Sequence, residues 1–184
     1  MKTQFLPALR FTAVLLVLCC VIYPALVWAA AQLALGHGEG VQISRNGRVV
    51  GFANVGQQFT QARYFNARPS AVDYHADNSA GSNKGPSNPD YLQAVRARLD
   101  TFLARNPGVR AADVPAELLT ASGSGLDPDL SPQGALVQVP RVARARGLAL
   151  APVRALVQQH VETSALGPAK VNVLQLNLAL DALR

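Results

Sequence analysis

A chain of 184 residues, 49% of them hydrophobic, has enough apolar material to bury a core without a covalent staple. Its net charge of +6 comes from 14 arginines and 3 lysines against 11 acids, and these form neither a basic run nor an RNA-type aromatic motif, which argues against a nucleic-acid module. Cys19 and Cys20 are the two cysteines, so everything from residue 37 onward is free of any disulfide framework.

Between Arg10 and His37 no side chain carries a charge. Within Phe11–Leu35 only Thr12, Pro24 and Gln32 fall outside the apolar set. At ~1.5 Å per residue this run makes a helix of roughly 37 Å, long enough to cross a hydrocarbon core of ~30 Å with some tilt. A secretory signal is the competing reading, with Lys2 and Arg10 as its basic start and Ala29-Ala30-Ala31 as small residues near a cut site. The apolar stretch exceeds the ~7–15 residues of a signal core. Tyr23 and Trp28 also sit in its far half, where interfacial aromatics belong. A retained span is therefore the preferred reading, and Pro24 inside it predicts a kink. Lys2 and Arg10 precede the run, and the first basic residue after it, histidine aside, is Arg45. The positive-inside rule then predicts a cytoplasmic N-terminus over residues 1–10, a transmembrane helix over 11–35 and an extracytoplasmic domain over 36–184. In a bacterium that domain is periplasmic and the membrane is the inner one.

Beyond the span, Val41–Phe52 reads as a β-hairpin turning at Asn46-Gly47, since both residues accept positive φ. Tyr64–Pro89 is a long polar loop, and within Asn78–Pro89 only Ala80 and Lys84 are not Gly, Ser, Asn or Pro. Asn88-Pro89-Asp90 opens a helix with a cap, a proline and an acid, which ends at Asn106-Pro107-Gly108. Leu92, Val95, Leu99 and Phe102 mark its expected buried face. Asp113 is expected to cap a short helical turn over Val114–Leu119. Thr120–Pro132 is a second glycine-serine loop. Ser131-Pro132 starts a helix running to about Arg146, with a kink or break at Pro140. A third helix is expected over Pro152–Glu162, with Val153, Leu156, Val157 and His160 on one stripe. Val171–Leu176 reads as a strand, and Asn177 as the cap of a last helix. The class is α+β: one N-terminal transmembrane helix, then a single soluble domain with few strands and several helices.

Tests for chemistry return little. Lys84 lies between Asn83 and Gly85, which is no phosphate-binding loop, and Gly123-Ser124-Gly125 lacks the third glycine of a dinucleotide fingerprint. The three histidines, His37, His75 and His160, have no metal-ligand spacing. Ser122 and Ser124 lack the frame of a nucleophile elbow. Asp127 and Asp129 flank Pro128, a turn rather than a catalytic pair. Arg68-Pro69-Ser70 suits either an anion clamp or an arginine satisfying loop carbonyls. His160 on an apolar stripe reads as a packed core residue.

Several blocks in order carry a resemblance. Tyr64-Phe65, Arg68-Pro69-Ser70-Ala71 and Gly81-Ser82-Asn83, followed by Gly85-Pro86-Ser87-Asn88-Pro89, form the first. Thr120-Ala121-Ser122-Gly123-Ser124-Gly125-Leu126-Asp127-Pro128 with Ser131-Pro132 forms the second, and Arg141-Val142-Ala143, Ala145-Arg146-Gly147-Leu148 and Val171-Asn172-Val173-Leu174, with Leu176-Asn177 and Ala179-Leu180-Asp181, continue it. Together they resemble the C-subunit family of the bacterial Kdp potassium-transporting ATPase, KdpC, over nearly the whole chain. The departures are Ala67 in place of a usual glycine, Asp129 in place of a usual histidine, His160-Val161-Glu162 in place of His-Thr-Glu, and a shortened segment over Leu166–Lys170.

The resemblance implies a non-catalytic subunit of an inner-membrane potassium uptake complex. Its partners would be a potassium-channel-like subunit, a P-type ATPase subunit and a small membrane subunit, with lipid around the span. ATP would act with the pump subunit, and potassium would be carried by the complex. The family role is assembly and a proposed catalytic chaperoning that raises the pump's affinity for ATP, with Ser122, Gly123, Ser124, Gly125 and Gln138 as implied nucleotide contacts. Tyr64, Phe65, Arg68, Pro69, Ser82, Asn83 and Asn88 are the candidates for partner contact. The chain has no Asp-Lys-Thr-Gly-Thr motif, so hydrolysis is expected in a partner. An extracytoplasmic domain argues against direct contact with ATP and for a cap on the channel-like subunit. The other readings are a stand-alone periplasmic binding module released by signal cleavage, and a nucleotide-binding regulator.

Overall fold

The computed structural model describes residues 2–183, which divide into two compact units at Gln42/Ile43. The first unit is built on α1 (Lys2–Val17), a π-helical turn (Leu18–Ile22) and α2 (Tyr23–Ala31). Residues Gln4–Ala31 make 28 residues of continuous helix, apolar and long enough to cross a membrane. This helix starts well before residue 11, and Gln32 caps it, so residues 33–35 lie beyond its end. Pro24 explains the π turn. Proline has no N–H, and its ring crowds the carbonyl four residues back. Widening the preceding turn relieves this, and the Tyr23 N–H donates to the Leu18 carbonyl, five residues back.

The second unit holds the remaining elements. β1 (Gln42–Arg45) and β2 (Arg48–Phe52) pair through Asn46-Gly47, whose φ values of 52° and 75° fit a two-residue hairpin turn. The long polar loop leads into α3 (Pro89–Arg105), where the Asn88 side chain accepts the Tyr91 N–H at 3.0 Å. Two 3-10 turns follow, Ala111–Asp113 and Ala116–Leu118. Asp113 lies inside the first and pairs with Arg110 at 2.7 Å instead of capping the second, because Pro115 separates them. The glycine-serine loop ends in a short strand, β3 (Asp129–Leu130), that has too few residues to show periodicity.

The Ser131-Pro132 helix is broken rather than kinked. α4 (Pro132–Leu136) starts with the Ser131 hydroxyl accepting the Gly134 N–H, and α5 (Val139–Arg146) restarts with Pro140 in its first turn. There proline's missing N–H has no carbonyl to serve, so it costs nothing. Gly147, at φ 65°, ends α5 in the left-handed conformation. α6 covers Leu150–Gln159, so the third helix stops before Glu162. The next residues form β4 (Val161–Ser164), which turns tightly into β5 (Gly167–Asn172). The final helix, α7 (Val173–Ala182), begins earlier than Asn177: Asn172 is its cap, accepting the Gln175 N–H at 3.1 Å. Val173–Leu176, expected as strand, is its first turn.

The sheet order is β3-β5-β4, all antiparallel, with Leu130 and Val161 both opposite Val171 and a register shift between Glu162 and Ser164. The core joins Val171 of β5 to Val139, Val142 and Ala143 of α5, Val153 and Val157 of α6, and Leu176 and Leu180 of α7. Phe65, from the first long loop, is also fully buried in it. α3 contributes no fully buried residue, and Leu92 of its expected inner face is 41% exposed. Only Phe102 of that stripe packs against the core.

Candidate functional site

The sequence blocks that stood out separately converge in one loop cluster. Its base is the extended pair Phe65-Asn66, held by two side-chain amides. Asn177 of α7 accepts the Phe65 N–H at 2.9 Å and donates to the Phe65 carbonyl at 3.0 Å. Gln138, between α4 and α5, does the same for Asn66, accepting at 2.8 Å and donating at 3.2 Å. Each amide thus supplies the donor and acceptor that a neighbouring strand would supply, which a buried loop needs. Gln138 also donates to the Gly134 carbonyl at 3.0 Å and accepts from Arg141 Nη2 at 2.7 Å. Its two donors and two acceptors are then all in use, and the residue is fully buried.

Tyr64 joins a charged group on the same base. Its hydroxyl donates to Asp181 Oδ2 at 3.2 Å, and the Arg146 guanidinium lies 5.0 Å from its ring centroid. Arg146 donates to Asp181 Oδ1 at 2.7 Å, and Arg45 pairs with the same carboxylate. Burial pushes the Asp181 carboxyl up, but hydrogen bonds from Arg146, Arg45 and Tyr64 outweigh it and hold the group below its ordinary value.

Above the base the two long loops lock together. Arg68 donates to Asp127 Oδ2 at 2.9 Å, the Pro69 carbonyl accepts the Ser122 N–H at 3.1 Å, and the Ser79 hydroxyl donates to the Ser124 carbonyl at 3.0 Å. Gly125, at φ 70°, sits where a Cβ would lie 2.5 Å from Val72 Cγ2 and 2.7 Å from the Ala80 carbonyl oxygen. Gly56 donates to the Leu126 carbonyl at 2.7 Å, and a Cβ on it would meet the Asp127 carbonyl. These glycines mark close backbone approach.

The structure therefore distributes the sequence candidates among different jobs. Tyr64, Phe65, Arg68, Pro69 and Ser122 hold the cluster together, and Ser122 is 2% exposed. Ser122 and Gly125 are buried, while Gly123 and Ser124 face solvent. Gln138 belongs to the base and not to the glycine-serine tip. Ser82 and Asn83 are exposed on the first loop, and Ser82 lines a cavity of about 410 Å³ with Lys84 and Tyr91. Asn88 acts as the helix cap described above. Arg68 meets a carboxylate, Asp127, and no loop carbonyl, and its buried Nε has no partner among the described residues.

Asp129 of β3 pairs at 2.8 Å with Lys170 of β5. The hydrogen bond to Asp129 raises the Lys170 ammonium above its ordinary value. Arg141 and Asn172, which stand in the sequence only inside motif blocks, and Asn177, expected as a helix cap, are buried polar residues whose partners the sequence does not reveal. A polar residue inside an otherwise apolar block, as in Val171–Leu180, was the available signal.

Residues 5–182 match the KdpC family, described as the K+-transporting ATPase, c chain. The chain is 52% identical over 184 residues to the potassium-transporting ATPase KdpC subunit of Flavobacterium johnsoniae, with all of both chains covered. The KdpC subunit of Polaromonas naphthalenivorans is 50% identical over 191 residues, covering 100% of this chain and 97% of the relative. That of Gemmatimonas aurantiaca is 48% identical over 190 residues, covering 100% and 94%. With full-length identity near one half and one family matched from the apolar helix through α7, the chain belongs to the KdpC family of K+-transporting ATPase subunits.

Proposed function

We propose that this chain is the accessory, non-catalytic subunit of an ATP-driven potassium uptake complex, anchored by its apolar helix and docked through its second unit on the outer face of the potassium-conducting subunit. There it stabilises the assembly and shapes the ion entrance, while a P-type partner hydrolyses ATP. The observation that carries the reading is the loop cluster. Its polar groups are spent on fixing two loops to each other, as in a rigid docking surface, and not on a vacant cradle of donors. The basic residues Lys2 and Arg10, ahead of the uncharged run Phe11–Leu35, support a cytoplasmic N-terminus. Protease added to sealed spheroplasts should digest the second unit and spare it in inverted vesicles. Protection in spheroplasts would overturn the placement.

A chaperone role toward nucleotide is the second reading, and the exposed Gly123-Ser124 tip is what favours it. Gln138 is not available to it without breaking the base. If the tip touches nucleotide, saturating ATP should raise the melting temperature of the detergent-solubilised chain, and Ser124→Ala should reduce that rise. No rise with ATP would remove this reading and leave the docking role intact.

A further inference from the structure

A cleft of about 490 Å³ opens between α3 and the loop segment Gln58–Tyr74. Arg98, Phe102 and Arg105 line its helix wall, and Phe59, Asp73 and Tyr74 its loop wall. A recess of about 200 Å³ adjoins it, sharing Thr60, Asn66 and Arg105 and reaching Arg141. None of these residues was singled out from the sequence as a site. The pair of cavities lies in one unit and is open to solvent.

The charges around it do not balance. Among the described residues, no acid lies within ion-pair distance of Arg98, Arg105 or Arg141. Arg141 is 6% exposed, and its guanidinium donates only to neutral acceptors: Asn106, Gln138 and the Ala62 and Tyr64 carbonyls. Burial, and then the nearby charge of Arg105, lower its pKa to about 10, so it remains a cation at neutral pH. A buried arginine normally has an anionic partner, and here a second arginine takes that place. Arg98 spends one donor on the Leu119 carbonyl. The loop wall carries a further mark. Asp73 and Tyr74 both adopt positive φ, 50° and 61°, which is unusual for a bulky aromatic. The Ser70 hydroxyl holds them by accepting the Val72 and Tyr74 N–H groups at 3.1 and 2.9 Å. Strain of this kind collects at ligand clamps.

We infer that this cleft receives a carboxylate side chain from a partner subunit of the complex, paired to Arg105 over the buried charge of Arg141, with its carbon stem against Phe59 and Phe102. Arg141 has already committed its Nε and both Nη groups, and Arg98 has one Nη on the Leu119 carbonyl. The Arg105 guanidinium, with no hydrogen bond among the described residues, lies beside Arg141 and offers the planar fork that one carboxylate matches. A protein partner fits because the cleft is open to solvent and joins cationic side chains to the apolar surface of Phe59 and Phe102. The inference rests on the docking role proposed above.

Arg105→Lys places an amine at the cleft that carbodiimide couples only to a carboxylate in contact. The purified complex carrying it should yield an amide link between position 105 and an Asp or Glu of the potassium-conducting subunit. Arg105→Glu should lower recovery of the complex by about tenfold through like-charge repulsion, with the circular dichroism of the chain unchanged. A link to an acid on the cytoplasmic side of a partner would keep the cleft and overturn the outer placement. No link, or a link to Asp73 alone, together with full recovery of Arg105→Glu, would overturn the inference. So would anionic lipid retained by the purified chain and lost in Arg105→Glu without any carboxylate link.

Discussion

Gln138 and Asp181 show how single polar residues hold this domain. Gln138 saturates four groups in a dry site, so Gln138→Leu leaves the Asn66 N–H and the Gly134 carbonyl without partners. A loss of about 3 kcal/mol is expected from buried unsatisfied groups, measured as the shift in the denaturation midpoint of the solubilised chain. A loss below about 1 kcal/mol would mean that the amide is dispensable to the fold. Asp181 sets a pH dependence. Its folded pKa lies below the unfolded value of about 3.9. Its stabilisation is therefore complete above that value and disappears as pH falls through the lower folded one. Asp181→Asn should cost about 1–3 kcal/mol at neutral pH and flatten the stability profile on the acid side, read from urea midpoints between about pH 5 and 2. An unchanged acid slope would refute the assignment. Asp181 stands in the sequence as an ordinary polar position and Gln138 only as an implied nucleotide contact, and their neighbours alone reveal these structural roles.

Among the elements, local chemistry decided the outcome wherever a cap or a turn was at stake. Asn88-Pro89, Ser131-Pro132 and Asn46-Gly47 each do what their side chains dictate. The misreadings fall where tertiary partners choose between states. Val171–Leu180 is apolar enough for strand or helix, and β5 ends at Asn172 because its side chain caps α7 there. Val161–Ser164 continues the stripe of α6 but pairs with β5. The loop elements depend on glycine. Gly125→Ala forces a Cβ against Val72 and the Ala80 carbonyl at a positive φ. It should cost about 1–3 kcal/mol and speed amide exchange over residues 70–81 and 122–127. Unaltered exchange there would show that the two loops do not depend on each other.

For the whole molecule, the division at Gln42/Ile43 leaves a second unit with its own continuous core. A chain of residues 43–184 should unfold in one cooperative step by heat, with circular dichroism and tryptophan-free fluorescence of its tyrosines coinciding. Separate transitions would show that this unit is not one cooperative body. From the sequence alone came the membrane-length helix, the α+β class, the hairpin, two helix starts and the family, because each rests on composition, on local capping or on ordered motifs. Tertiary structure alone decided that the two loops form one cluster, that Gln138 works in its base, and that Arg98, Arg105 and Arg141, with no acid in ion-pair distance among the described residues, line one cleft and its adjoining recess. These depend on contacts between residues up to more than a hundred positions apart, such as Asn177 with Phe65. Neither spacing nor residue type encodes which distant backbone a side chain will meet.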